Sequence, residues 1–302
     1  MAKVWPQSSH LRHFSDDSFY KTLLFRHWHG HCYSLLETSQ LGDAEKMSPK
    51  NLLLATALCL LPLPAFAFGS QSYDAKAVKI DGVYGQLDVI VANGTDKVSV
   101  EVTGPEKRLA EVSVNTSGGT LVIEQKQKRD GQGWRGKDDQ IRVTIRLPAG
   151  TGLEIEDFIG DGTVGDLRGP LEVDDIVSGE LTVGHVSTAK LSVSGSGKIK
   201  VGDIDRGLDV EINGSGSVAT GKTQGEVKLE INGSGDIDIA RVNGPVAANV
   251  NGSGDINLRA GTADPLAASI AGSGEVTLDG VARNQAVNNN GSGTVKVTGR
   301  AS

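Results

Sequence analysis

Residues 227–239 read VKLEINGSGDIDI, and the same frame returns as LDVEINGSGSVAT at 208–220, VAANVNGSGDINL at 246–258 and LAASIAGSGEVTL at 266–278. The serine of Gly-Ser-Gly falls at 196, 215, 234, 253, 273 and 292, in steps of 19, 19, 19, 20 and 19 residues. A fixed period of this length marks stacked structural repeats. Within one unit Val227, Leu229 and Ile231 alternate with Lys228 and Glu230. Past the turn, Ile237 and Ile239 alternate with Asp236 and Asp238. Alternation with period two over short runs bounded by glycine predicts half-buried strands. A helix would need apolar residues three and four apart, and the glycine pairs would penalise it.

Working outward, fainter copies stand at 153–167 (LEIEDFIGDGTVGDL) and 171–183 (LEVDDIVSGELTV), and together the units make about eight coils. The chain is therefore all-β, a parallel β-solenoid (β-helix) with coils of about 19 residues over 151–302. The sharp turn between the two strands of each coil explains the paired glycines: Gly195 and Gly197, Gly214 and Gly216, Gly233 and Gly235, Gly252 and Gly254, Gly272 and Gly274, Gly291 and Gly293. Glycine reaches positive φ without steric cost and lets neighbouring backbones approach closely. Asn213, Asn232 and Asn251 precede the turn in successive coils and are placed to form an amide ladder. In the last unit, QAVNNNGSGTVKV at 285–297, Asn289 stands where earlier coils have Ile270, Val250 and Ile231. A polar residue at an inward position of a terminal repeat predicts a cap.

Residues 68–150 are less regular, yet KAVKID, QLDVIVAN, KVSVEVTG, TLVIEQKQK and QIRVTIRLP all alternate. They predict a β segment that forms the first rungs of the solenoid or an N-terminal cap. The stretch Arg129–Asp139 is polar and glycine-rich, the composition of a surface loop. Forty glycines with 4% aromatics suit a turn-rich β architecture, and a net charge of −7 argues against nucleic acid as a partner.

From Met47 the sequence has a basic start, an apolar run from Leu52 to Leu61, two prolines and Ala65-Phe66-Ala67. This is the layout of a secretory signal peptide over 47–67, with an apolar run too short to span a membrane. Residues 1–46 hold five of the six histidines, among them His27, His29 and His31, and show no periodicity. They read as an over-extended start or a disordered leader. Cys32 and Cys59 both fall before the cleavage site, so disulfides and thiol chemistry are absent from the exported chain, which keeps no transmembrane segment.

The order of signal peptide, KAVKIDGVYGQLDVIVANGTDKVSVEV, a glycine-rich loop, IRVTIRLPAGTGLEIEDFIGDGTV and tandem INGSGDI units resembles the GIN-domain family of bacterial adhesin-type proteins. These are often labelled autotransporter-adhesin head domains. The resemblance covers most of 74–300. It implies a right-handed β-helix, an exported location in a Gram-negative-type bacterium, and no defined activity. The chain ends directly after its last repeat, without the strands of a membrane translocator, so residence in the periplasm or secretion is expected rather than surface display.

The chemistry on offer is narrow. His185 lies in LTVGHVST with no motif around it, and no phosphate loop or basic-aromatic patch is present. The Asn-Gly-Ser units match a glycosylation acceptor pattern, but the turn requires the same residues. Asp157, Asp161, Asp174 and Asp175 cluster in the early coils, where two carboxylates at glycosidase spacing would make a polysaccharide lyase or hydrolase. Asp236 and Asp255 follow the turn at equivalent places and are the candidates for a surface calcium site, although the motif returns too rarely for a calcium spine. Without aromatic or basic residues beside these acids, the expectation is a non-enzymatic module of the cell envelope that needs no cofactor. Its candidate partners are a glycan, an envelope protein, or a second copy associating laterally.

Overall fold

The computed structural model describes residues 67–126 and 139–299. The leader over 1–46, the signal peptide (apart from Ala67) and most of the 129–139 loop lie outside the described residues.

The regular part begins with β8 (Gly152–Val164) and continues through β9 (Pro170–Ser178), β10 (Glu180–Val183), β11 (Thr188–Val193), β12 (Lys198–Val201), β13 (Gly207–Gly214), β14 (Ser217–Gln224), β15 (Glu226–Gly233) and β16 (Asp236–Gly252). It ends with β17 (Asp255–Leu258), β18 (Gly261–Gly272), β19 (Glu275–Leu278), β20 (Val281–Ala282), β21 (Gln285–Asn289) and β22 (Thr294–Val297). These strands wind into about eight coils. One ladder runs β8–β9–β11–β13–β15–β16–β18–β21, and a second runs β8–β10–β12–β14–β16–β17–β19–β22, all parallel. In the first, Leu208, Val210 and Ile212 sit in register with Val227, Leu229 and Ile231, then with Val246, Ala248 and Val250. All nine are buried in one continuous core.

Four coils also share a short third ladder, through Val186, Ile204, Thr223 and Val242, which continues to Gly261. It adds one more inward side chain to each of those four coils. Its clearest trace is a polar pair: Thr220 and Thr223 are both buried, with hydroxyl oxygens 3.4 Å apart. The earliest coils are one residue shorter, since Leu153 pairs with Leu171 and Leu171 with Ala189. The single 20-residue step is a bulge, where Gly244 pairs with Ala263 but Val246 with Leu266.

The N-terminal strands are β1 (Ala67–Tyr73), β2 (Ala77–Asp81), β3 (Tyr84–Val91), β4 (Val98–Thr103), β5 (Val112–Ser117), β6 (Thr120–Gln125) and β7 (Ile141–Leu147), with one helical turn, α1 (Glu106–Leu109). They join the same core, but not in chain order. β2 lies between β6 and β8, and β3 between β7 and β8, all parallel. The coil written first is thus clamped between the second and the third. Outside it the pairing turns antiparallel: β4 on β7, β1 on β4 and β5 on β6. The parallel stack therefore stops there, with β1 and β5 as its outermost strands among the described residues.

The glycine turn holds the two main ladders together. Gly214, Gly233, Gly252 and Gly272 have φ between 139° and 144°, a region closed to other residues. The second glycine of each pair has no such angle and is required by contact instead. A Cβ on Gly235 would stand 2.6 Å from Gly216 O and 2.6 Å from Ile212 Cγ2. Gly207 is different, because a Cβ there meets nothing closer than Glu226 O at 3.4 Å. We predict that Gly235→Ala destabilises the protein by about 3 kcal/mol in urea unfolding, while Gly207→Ala stays within about 1 kcal/mol. Equal effects of the two substitutions would show that stacking contact is not what selects glycine at the turn.

Candidate functional site

The outward side chains of the coils form columns one rung apart, about 4.8 Å. Where carboxylates meet in such a column, their charges interact strongly. The densest group arises where β2 is clamped: Asp81 is in register with Glu124 on one side and Glu156 on the other. Lys79, one position pair earlier, bonds to Glu154 Oε1 at 2.9 Å and to Glu156 Oε1 at 2.5 Å. These bonds, that to Glu156 first, hold the Lys79 ammonium well above its ordinary range, and Lys79 in turn holds Glu156 below the usual carboxylate range. Asp81 goes the other way: burial, then the charge of Glu156, pushes its carboxyl up, with Glu124 and Asp157 adding to the effect against Lys79.

Asp81 opens into a cleft of about 490 Å³ with Glu124, Gln125, Lys126, Asp157, Ile159 and Val177 on its walls. Gln125 is fixed there, since its Oε1 accepts the Tyr84 N–H at 3.0 Å. A carboxyl whose pKa is raised beside one whose pKa is lowered is the kind of pair that acid–base hydrolysis uses. Among the described residues that line the cleft, however, none is aromatic and could stack on a sugar ring.

The four early-coil aspartates do not converge. Asp157 has φ 48° and lines this cleft. Asp175, at the equivalent corner of the next coil, has φ 78°, and its Oδ1 accepts the Ser194 N–H at 3.1 Å. Asp174 follows Glu156 in the column on the first ladder, 3.6 Å from Lys190 Nζ. Asp161 lies on the second ladder in register with Gln86, and its Oδ1 accepts the Glu180 N–H at 3.1 Å. Asp161 borders a shallow polar hollow of about 540 Å³ with Gln86, Asp88, Arg142, Thr163 and Glu180. Carboxylates that bond a backbone N–H of the following coil recur elsewhere, at Asp166 with His185 and at Asp203 with Lys222. The His185 ring meets Asp205, with Nε2 2.8 Å from Oδ1.

Asp236 and Asp255 are in register on the second ladder, followed by Glu275. Asp255 Oδ1 accepts the Glu275 N–H at 2.9 Å. Among the described residues, no three His, Cys, Asp or Glu side chains are grouped to hold a metal ion. The asparagines do stack: Asn251 Nδ2 donates to Asn232 Oδ1 at 2.9 Å, Asn232 Nδ2 to Asn213 Oδ1 at 3.1 Å, and Asn213 Nδ2 to Glu211 Oε1 at 2.7 Å.

A groove of about 460 Å³ runs along the start of the first ladder. Its floor is Ala77, Gly152, Pro170, Thr188 and Gly207, successive positions that carry no long side chain, and Glu226 closes it. Glu154, Glu172, Lys190, Asp209 and Lys228 form one wall, and Arg206 also lines it. Lys190 is tied to Glu172 at 2.6 Å and Lys228 to Glu226 at 3.2 Å. Sequence reading passed over both this groove and Asp81; β2, which supplies Asp81 and the groove's first floor position Ala77, stacks out of chain order.

Stability should report the Asp81 cluster. A carboxyl whose pKa is raised on folding favours the folded state below its unfolded value, an advantage lost as the pH rises through the folded value. A lowered one, Glu156, favours the folded state above its unfolded value, an advantage lost as the pH falls through the folded one. Thermal unfolding of Asp81→Asn should therefore give a melting temperature above the parent's at pH 7 and a vanishing difference towards pH 3. Glu156→Gln should melt lower than the parent at pH 7. A lower melting point for Asp81→Asn at pH 7 would contradict this account of the cluster.

Residues 78–262 match the family described as "Putative auto-transporter adhesin, head GIN domain", and the chain belongs to that family. No curated protein matches the sequence. Among solved structures, it is similar to a "Putative lipid binding protein" from Parabacteroides distasonis, with 20% identity and a TM-score of 0.55, over 76% of this chain and 96% of that one. It is similar also to a "putative adhesin" from the same species, with 22% identity and a TM-score of 0.50, over 78% and 98% of the two chains. A "putative adhesin" from Bacteroides fragilis gives 19% identity and a TM-score of 0.50, over 77% and 97%. At these identities the likeness shows the fold. Among the described residues, no helix is long and apolar enough to cross a membrane.

Proposed function

We propose that this GIN-domain chain is an exported, non-enzymatic interaction module of the cell envelope, which holds an extended glycan or an envelope protein along its lateral polar faces. The groove on the first ladder carries the reading. Its floor lacks large side chains over five rungs, and its wall offers one charged group per rung from Glu154 to Lys228. A polymer laid parallel to the stack would meet a polar contact about every 4.8 Å, and many weak contacts in series give useful affinity. The family membership and the signal-peptide layout over 47–67 support an adhesive role outside the cytoplasm. The likeness to a structure titled a lipid binding protein adds nothing to this choice, because exposed apolar side chains are scattered: Ile90, Val177 and Val287.

A carbohydrate-active enzyme is the second reading, favoured by one observation, the raised Asp81 carboxyl beside Glu156 and Asp157. A glycan array and a polysaccharide-turnover screen on the purified chain, with and without calcium, separate the two. We expect binding without turnover, weakened about tenfold by Lys190→Glu together with Lys228→Glu. Turnover that disappears in Asp81→Asn would replace the adhesive reading with the enzymatic one. Binding that vanishes with a chelator and in Asp255→Asn would move the contact to the second ladder.

A further inference from the structure

A solenoid has two ends, and each would expose unpaired backbone groups and an apolar cross-section if left as an ordinary coil. The second glycine of the turn shows what the C-terminal end must satisfy. Gly179 O accepts the Lys198 N–H at 2.9 Å, Gly197 O that of Ser217 at 3.0 Å, Gly216 O that of Asp236 at 3.1 Å and Gly274 O that of Thr294 at 3.1 Å. Gly293 is the last of this column, and no coil follows it in the described residues. Its carbonyl accepts instead the Asn289 Nδ2 amide, at 2.7 Å. The Oδ1 of the same side chain takes the Gly291 N–H at 3.1 Å.

The other end of β21 repeats the device more loosely. Ala263 O accepts the Arg283 N–H from the next coil at 2.9 Å. Ala282 follows Ala263 in register, and its carbonyl lies 3.5 Å from Gln285 Nε2, which is oriented to donate. Both amides stand at inward register, Gln285 opposite Leu266 and Asn289 opposite Ile270, where the preceding coils carry apolar side chains. Between them Val287 is half exposed.

We infer that Gln285 and Asn289 are stop residues, whose side-chain amides stand in for the backbone N–H groups of a further coil and close the C-terminal end to a strand from a second copy. Asn289 is the stronger of the two by distance. At the opposite end the parallel stack stops differently, with β4, β1 and β5 paired antiparallel.

The test is sedimentation velocity of the full chain over a hundredfold concentration range. Gln285→Leu with Asn289→Ile should associate at least tenfold more tightly than the parent, and adding Val287→Lys should reverse the gain. Val287→Lys alone should leave the parent's behaviour unchanged. A folded double variant that sediments as the parent does, or a parent whose association is weakened by Val287→Lys, would overturn the inference. Hydrogen exchange gives a readout that does not depend on association or on the double variant folding. In Asn289→Ala the Gly291 amide should exchange about tenfold faster than in the parent, the loss of one hydrogen bond. Unchanged exchange would also overturn it.

Discussion

Coils that stack at sheet spacing bring backbone onto backbone where the chain turns out of a ladder, and at the glycine positions of the turn a Cβ would run into the carbonyl of the neighbouring coil. The glycine columns meet that constraint in two ways. Gly214, Gly233, Gly252 and Gly272 supply a backbone angle that other residues avoid. Gly216, Gly235, Gly254, Gly274 and Gly293 supply empty space against the glycine carbonyl below and a Val or Ile methyl from the core. With the corner fixed, both ladders keep their phase. Every inward side chain then falls over its counterpart, and burial of about 1.5–3 kcal/mol per large apolar group accumulates without a break. In the first coils, where Gly-Ser-Gly is missing, Gly160 and Gly179 take positive φ, and Asp157 and Asp175 do so a few residues earlier. Asp175 offsets part of that strain by accepting the Ser194 N–H.

The same registration decides what the surface can do. Identical phase turns isolated outward residues into columns, so that asparagines become a ladder and carboxylates become a line of repelling charges. Several aspartates are drawn into the backbone. Asp161, Asp166, Asp175, Asp203 and Asp255 each accept an N–H from the coil that follows. A carboxylate committed in this way has one oxygen already engaged by the backbone. What remains for recognition is the set of outward groups without such duties, concentrated on the groove wall and in the Asp81 cleft.

The repeat was legible because its signals are local. Six Gly-Ser-Gly turns set the period, and Val227, Leu229, Ile231, Ile237 and Ile239 set which face is buried, all within thirteen residues. The third ladder was not legible, since it rests on a single inward residue per coil and in one coil that residue is Thr223. The Asp81 cluster was hidden for a different reason. Its members come from β2, β6 and β8, and the clamping of the first coil between the second and third is a long-range choice that no periodicity records. Sequence spacing pointed instead to Asp157, Asp161, Asp174 and Asp175, which are near in the chain but alternate between ladders and corners.

That clamped coil also explains why charge gathers at one end. β2 lies between β6 and β8, strands distant from it in the chain, so its outward residues meet columns that do not repeat its own sequence. Three carboxylates fall into line there, and Lys79 is the counter-charge that makes the alignment tolerable, bridging Glu154 and Glu156 while Asp81 is left to bear the repulsion. At the opposite end the problem is unsatisfied backbone rather than charge, and the chain meets it with neutral amides at Gln285 and Asn289. The middle coils need neither device. Their outward positions are therefore the ones free to vary with a ligand, and the groove floor from Ala77 to Gly207 begins in the clamped coil and extends into them. A binding face placed there draws its rigidity from the glycine corners and its charge pattern from residues that the fold itself does not require.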